Sequence, residues 1–153
     1  MDNEPISKIP DKEDQLHFTS FYLHDTLCGI DISRIQEVNT DLAITKVPLA
    51  PEYVIGIKNL RGQIVTIIDQ SLKIGYGPSK IKKSSRIIII NSEDEYIGLL
   101  ADKINDIVTA PKSAISEPPS NIKGVQGKFF TGVLRNKDKE LMAILNLDEV
   151  LAI

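Results

Sequence analysis

At 153 residues the chain is long enough to bury a real core, as one domain or as two small ones. It is 42% hydrophobic but only 5% aromatic, with no tryptophan, so that core must be aliphatic. Eighteen basic against 21 acidic residues give a net charge of −3, which argues against a general nucleic-acid binder. The one cysteine, Cys28, cannot form an internal disulfide. It lies in an apolar stretch and reads as a small buried hydrophobe rather than a nucleophile.

Residues 1–14, MDNEPISKIPDKED, are polar, acidic and broken by two prolines, and predict a disordered tail. They hold no apolar core of a secretory leader. No later run approaches the ~18–20 apolar residues of a membrane span, so a cytoplasmic protein without direct membrane insertion is expected. Leu16 to Leu23 (LHFTSFYL) then reads as a strand, His24-Asp25-Thr26 as a turn, and Leu27 to Ile32 (LCGIDI) as the returning strand. Ser33 is placed as the N-cap of one short helical turn, RIQEV, with Glu37 near its end.

The most informative stretch is Val47 to Asp69, VPLAPEYVIGIKNLRGQIVTIID. Pro48 and Pro51 fix φ and remove donors, which suits an entry loop and excludes a helix interior. Val54, Ile55, Ile57 and Leu60 predict a half-buried strand, and Ile64, Val65, Ile67 and Ile68 a more apolar one. Arg61-Gly62 punctuates the two, because glycine takes φ > 0 where a turn demands it. The result is a hairpin that holds Asn59 and Arg61 at its tip. Gly75 to Ser79, with the basic cluster through Lys83, reads as an exposed connection.

A second unit repeats the first. Arg86–Ile90 and Tyr96–Ala101 predict a hairpin across NSEDE. LCGIDISRIQEV lies on YIGLLADKINDI, pairing Gly29 with Gly98, Ile35 with Ile104, Glu37 with Asp106, and Val38 with Ile107. GIKNLRGQIVTIIDQSL from Gly56 likewise resembles GVLRNKDKELMAILNLDEVL from Gly132, with a slightly longer turn. Each copy holds strands for a small closed barrel, which solves the edge-strand problem. The organisation expected is a tail at 1–14 and a domain at 15–151. That domain divides into two barrel subdomains, about 15–80 and 85–151, with exchange of strands between them left open.

No catalytic constellation stands out. His17 and His24 lie in or beside the first strand, with no ligand spacing around them, so no metal is expected. Asp102 and Asp106, four apart, would share a helical face, but each matches a polar residue in the other repeat, which favours a rim role over acid–base work. The glycines form neither a dinucleotide fingerprint nor a phosphate loop. Lys80, Lys82 and Lys83 lack interleaved aromatics and read as a solvated linker rather than an RNA site. Arg61 reads either as a solvated turn charge or as a fork that pairs a carboxylate bidentately.

CGIDISRIQEV, VPLAPEYVIGIKNLRGQIVTIID, IGLLADKINDIV and the TGV…LMAILNLDEVL ending together resemble the CheW family of bacterial chemotaxis coupling proteins. Thr66 stands where that family commonly has proline, and Gln70 where leucine usually follows the aspartate. The resemblance implies an all-β fold of two intertwined SH3-like five-stranded β-barrels with short helical turns. It implies no catalysis and no cofactor. The function it implies is a scaffold, monomeric when free, that bridges the cytoplasmic tip of methyl-accepting receptors to the regulatory domain of the histidine kinase CheA. Recruitment to the inner face of the membrane would follow through receptor arrays. By the same resemblance Ile35, Glu37, Asn59, Arg61, Ile104 and Ile107 fall on the receptor-facing groove, while kinase-contact residues stay unassigned. Ending at Ile153, the chain reads as the form without the receiver domain of the family's two-domain relative. The alternatives are a coupling protein of a non-flagellar, type IV pilus-like system, or an SH3-like peptide- or RNA-binding module.

Overall fold

A computed structural model describes residues 14–152. The tail expected at residues 1–14 therefore lies, Asp14 apart, outside the described residues. Strands β1 (Gln15–Leu23) and β2 (Thr26–Asp31) form the first hairpin, followed by β3 (Ile35–Asn39). Next come β4 (Val54–Leu60), β5 (Gln63–Ile68) and the short helix α1 (Gln70–Ile74). The second half repeats this with β6 (Arg86–Ser92), β7 (Glu95–Ala101) and β8 (Lys103–Pro111). A two-residue pair, β9 (Asn121–Ile122) and β10 (Val125–Gln126), precedes β11 (Phe130–Arg135), β12 (Leu141–Leu145) and α2 (Leu147–Leu151).

The strands assemble into two five-stranded sheets, ordered β11-β12-β2-β1-β8 and β4-β5-β7-β6-β3. Position for position these are the same sheet. In each, a hairpin from one half of the chain (β1–β2 or β6–β7) sits among three strands from the other half. The registers agree as well. Ile104 faces Phe21 and Ile107 faces Thr19, while Ile35 faces Ile90 and Val38 faces Ile88. The two parallel contacts also match, Ile144 on Gly29 and Ile67 on Gly98. A reciprocal exchange between equivalent units relates them as in an isologous dimer, about an approximate two-fold.

Three aliphatic clusters follow from this arrangement. Phe18, Leu27, Val108, Leu134, Met142 and Ile144 fill the inside of the first sheet, and Val65, Ile67, Ile87, Ile89 and Leu100 that of the second. Phe21, Leu23, Ile30, Ile88, Ile90, Leu99 and Leu145 belong to the large cluster between the sheets. The run Ile87–Ile90 is wholly buried because alternate residues of a strand point to opposite faces, here to two different cores. The helices are held by side-chain caps at equivalent places. Asp69 accepts from the N–H of Leu72 at 3.1 Å and Asn146 from that of Glu149 at 3.4 Å. Asp69 also accepts from the Ser79 N–H at 2.9 Å, which fixes the connection between the halves.

The all-β class holds, but the closed barrels expected from the repeat are open ladders. The first sheet curls, since its end strands β8 and β11 share one core, yet β8 does not pair with β11, nor β3 with β4. The connecting segments take the closing bonds instead. Thr45 exchanges backbone bonds with Ile57 at 2.9 and 2.8 Å, and Ser116 exchanges two with Val133 at 2.9 Å. These contacts cover the free edges of β4 and β11. Gly56 permits the first of them, for a Cβ there would stand 2.2 Å from the Thr45 carbonyl oxygen. Gly56→Ala is accordingly expected to lower stability by ~1–3 kcal/mol or more in urea unfolding. A loss under ~0.5 kcal/mol would show that this edge contact is dispensable.

RIQEV is not the helical turn expected. A 3-10 turn occupies only Ile32–Arg34, and its cap is Asp31, which accepts from the Ser33 N–H at 2.9 Å. Ile35 to Asn39 is strand, because β-branched Ile35 and Val38 pair with the isoleucines of β6. Asp102 and Asp106 likewise share no helix face, Asp102 lying in the bend between β7 and β8 and Asp106 on β8. Asp102 is buried and accepts from the His24 N–H at 2.6 Å, whereas Asp106 is exposed.

Candidate functional site

The hairpin β4–β5 turns through Arg61 and Gly62, both with positive φ (53° and 89°), the conformation of a type I′ turn. Asn59 braces it, its Oδ1 accepting from the Gly62 N–H at 2.9 Å. Arg61 therefore leaves the tip in a fixed direction, and its guanidinium donates to the Glu37 carboxylate as an ion pair. Asn39 Nδ2 donates to the same carboxylate at 3.3 Å. The Arg61 side chain is 68% exposed and that of Glu37 27%.

The Arg61 hydrogen bond, helped by Asn39, holds the Glu37 carboxyl below its ordinary range. A depressed acid supports its pair at every pH above the unfolded value and loses it only as pH falls through the folded one. The pair is thus intact at neutral pH. Carboxyl NMR should place the Glu37 titration below that of an ordinary glutamate, and Arg61→Ala should move it up. An unchanged titration in that variant would contradict the pairing.

A bulge in β3, and its equivalent in β8, sets apolar residues together on one face of each strand. Between Ile35 and Glu37 the register of β3 slips by one residue, and β8 slips at the equivalent place opposite Thr19 and Phe21. Residues three apart then fall on one face. Ile35 and Ile104 pack against the central cluster, and Val38 and Ile107 stand further out, 39% and 62% exposed. Of the expected groove residues, Glu37, Arg61 and Asn59 are brought together at the β4–β5 tip. Ile35 lies on β3 and Ile104 and Ile107 on β8, the end strands of the two different sheets. Val38 is absent from that expectation, although its match to Ile107 in the repeat could have found it.

Elsewhere, among the described residues, the buried atoms Thr26 Oγ1, Gln70 Oε1, Ser79 Oγ and Asp102 Oδ1 have no hydrogen-bond partner. His17 Nδ1 lies 2.9 Å from Thr109 Oγ1, and the buried thiol of Cys28 is pushed up by desolvation. Gln70 is fully buried, its Nε2 donating to the Leu100 carbonyl at 2.9 Å. Among the described residues no group of three or more His, Cys, Asp or Glu is placed to hold a metal ion. Nor is any helix among them long and apolar enough to cross a membrane.

A family model described as the CheW-like domain matches residues 17–153. The chain belongs to the CheW-like family. This CheW-like chain is similar to the solved structure of scaffolding protein TtCheW from Thermoanaerobacter tengcongensis. The TM-score is 0.82 at 31% identity, covering 92% of this chain and 90% of that one. Chemotaxis protein CheW of Helicobacter pylori is 29% identical over 145 residues, which is 95% of this chain and 87% of the relative. Chemotaxis protein CheW of Treponema pallidum is 27% identical over 136 residues, 86% of this chain and 80% of the relative. The CheW-like assignment and the all-β fold agree, and both match the family read from the NLRG hairpin.

Proposed function

We propose that this CheW-like chain is a non-catalytic coupling scaffold of a chemosensory array. It holds the cytoplasmic tip of a methyl-accepting receptor in the groove between its sheets and docks the regulatory domain of the histidine kinase CheA elsewhere. It works at the inner face of the membrane, held there by its receptor. The observations that carry this reading are the Arg61–Glu37 pair on a braced, exposed hairpin tip and the exposed apolar side chains of Val38 on β3 and Ile107 on β8. Exposed apolar side chains with an exposed, oriented ion pair suit a protein interface rather than a catalytic cleft.

Two binding partners, with no chemistry between them, are what the scaffold requires. Calorimetric titration of the protein with a receptor-tip fragment, and separately with the kinase, tests this. Binding to both, with a ternary complex on mixing, is expected. Binding to neither would overturn the reading.

A further inference from the structure

Where β6 begins, the chain that precedes it closes one end of the second sheet. Residues 82–85 form a turn there. The Ser85 N–H donates to the Lys82 carbonyl at 2.9 Å, and the Lys82 N–H donates to the Ser85 hydroxyl at 2.8 Å. Ser84 donates to the Asp102 carbonyl at 2.8 Å, and Ser85 is fully buried. Gln70, fully buried as well, donates to the Leu100 carbonyl.

The internal repeat gives each of these residues a counterpart in the first sheet. Phe18 faces Asp31 as Ile87 faces Leu100, so Gln15, Leu16 and Ser33 stand where Ser84, Ser85 and Asp102 stand. Ile144 lies on Gly29 as Ile67 lies on Gly98, which sets Leu147 in the place of Gln70. In the first sheet these positions frame an opening. Gln15 and Ser33 line a cavity of about 530 Å³, and its wall residues Leu16 and Asp31 also line a second of about 450 Å³. The apolar wall of the second is Leu16, Phe18, Ile115, Ile144 and Leu147. Arg34 and Lys112 line it too, and neither forms an ion pair among the described residues. Of its two acids, Asp31 already accepts from the Ser33 N–H, and Asp148 sits in the first turn of α2.

We infer that residues 1–13 of this chain fold back over the end of the first sheet, with Ile9 seated in the apolar cavity. They would serve β1 as the turn at 82–85 serves β6. The segment enters β1 at Gln15, on the cavity wall itself. Ile9 precedes Leu16 by seven residues. An extended chain of that length spans up to ~23 Å, so the reach is ample. The tether also holds the segment at an effective concentration in the ~mM range, so a weak contact suffices. Asp2, Glu4, Asp11 and Glu13 outnumber Lys8 and Lys12, which suits Arg34 and Lys112. Ile6 and Ile9 are the segment's branched aliphatic side chains. Seated in this way the segment is a strap that covers apolar surface, and whatever draws it aside exposes that surface.

Paramagnetic relaxation in the full chain tests this. Cys28 is wholly buried, so a nitroxide placed through Ser7→Cys marks the strap alone. The methyl signals of Ile115 and Ile144 are expected to lose most of their intensity, while those of Ile87 and Ile89 inside the second sheet keep theirs. Ile9→Asp should restore the lost intensity, and added salt should restore part of it. Deleting residues 2–12 should shift the Ile115 and Ile144 methyls and leave Ile87 and Ile89 in place. Full intensity at Ile115 and Ile144 in the labelled protein would overturn the inference, as would a loss that Ile9→Asp leaves unchanged. The receptor reading stands in either case.

Discussion

Arg61→Glu is expected to abolish coupling between receptor and kinase while the thermal melt barely moves. The side chain lies on a turn, mostly in solvent, and touches no core cluster, so folding does not depend on it. Its position does depend on neighbours: a type I′ turn braced by Asn59 aims it, and Glu37 holds its fork. Reversing the charge places two carboxylates, residues 37 and 61, side by side at the rim and turns away an acidic partner. The exchange Glu37→Arg with Arg61→Glu separates the two roles of the pair. Partial recovery in a kinase-coupling assay would mean that the internal pair sets the geometry of the tip. No recovery would mean that the guanidinium touches the partner directly.

Ile107 and Ile104 are expected to behave differently although they lie three apart on one face. Ile107 is 62% exposed, so Ile107→Asp should weaken receptor binding by more than ~tenfold and leave the melt in place. Ile104 packs against the central cluster from its edge. Ile104→Ala should cost ~1–2 kcal/mol of stability, below the ~2–5 kcal/mol of a fully buried isoleucine, and weaken binding as well. Denaturant unfolding beside a receptor titration reads both quantities. A destabilised Ile107→Asp with normal affinity would make this face a part of the core.

The hairpins were legible because strand alternation and turn chemistry are local. Arg61-Gly62 marks its turn by backbone conformation alone, and the run from Arg86 to Ala101 marks its hairpin by burial and a polar tip. The open ladders and the exchange of hairpins were not legible. Both repeats carry the same pattern, so β1–β2 fits β8, β11 and β12 as well by sequence as it fits β3, β4 and β5. Long-range pairing decides, and no local signal records it. The error at RIQEV has a specific cause. Ile35 and Val38 stand at the i, i+3 spacing of a helix face, and a bulge puts them on one face of a strand just as well. Asp102 and Asp106 look like paired carboxylates only because four residues apart is helical spacing, whereas Asp106 stands on strand β8.

The proposed receptor site along Ile35, Ile104 and Ile107 is most directly tested by isoleucine methyl NMR during titration with a receptor-tip fragment. The methyl signals of Ile35, Ile104 and Ile107 are expected to shift together and saturate at one equivalent. Those of Ile87, Ile89 and Ile144, sealed inside the two sheets, should move little. Saturating binding that leaves Ile35, Ile104 and Ile107 unmoved while other surfaces respond would contradict the account.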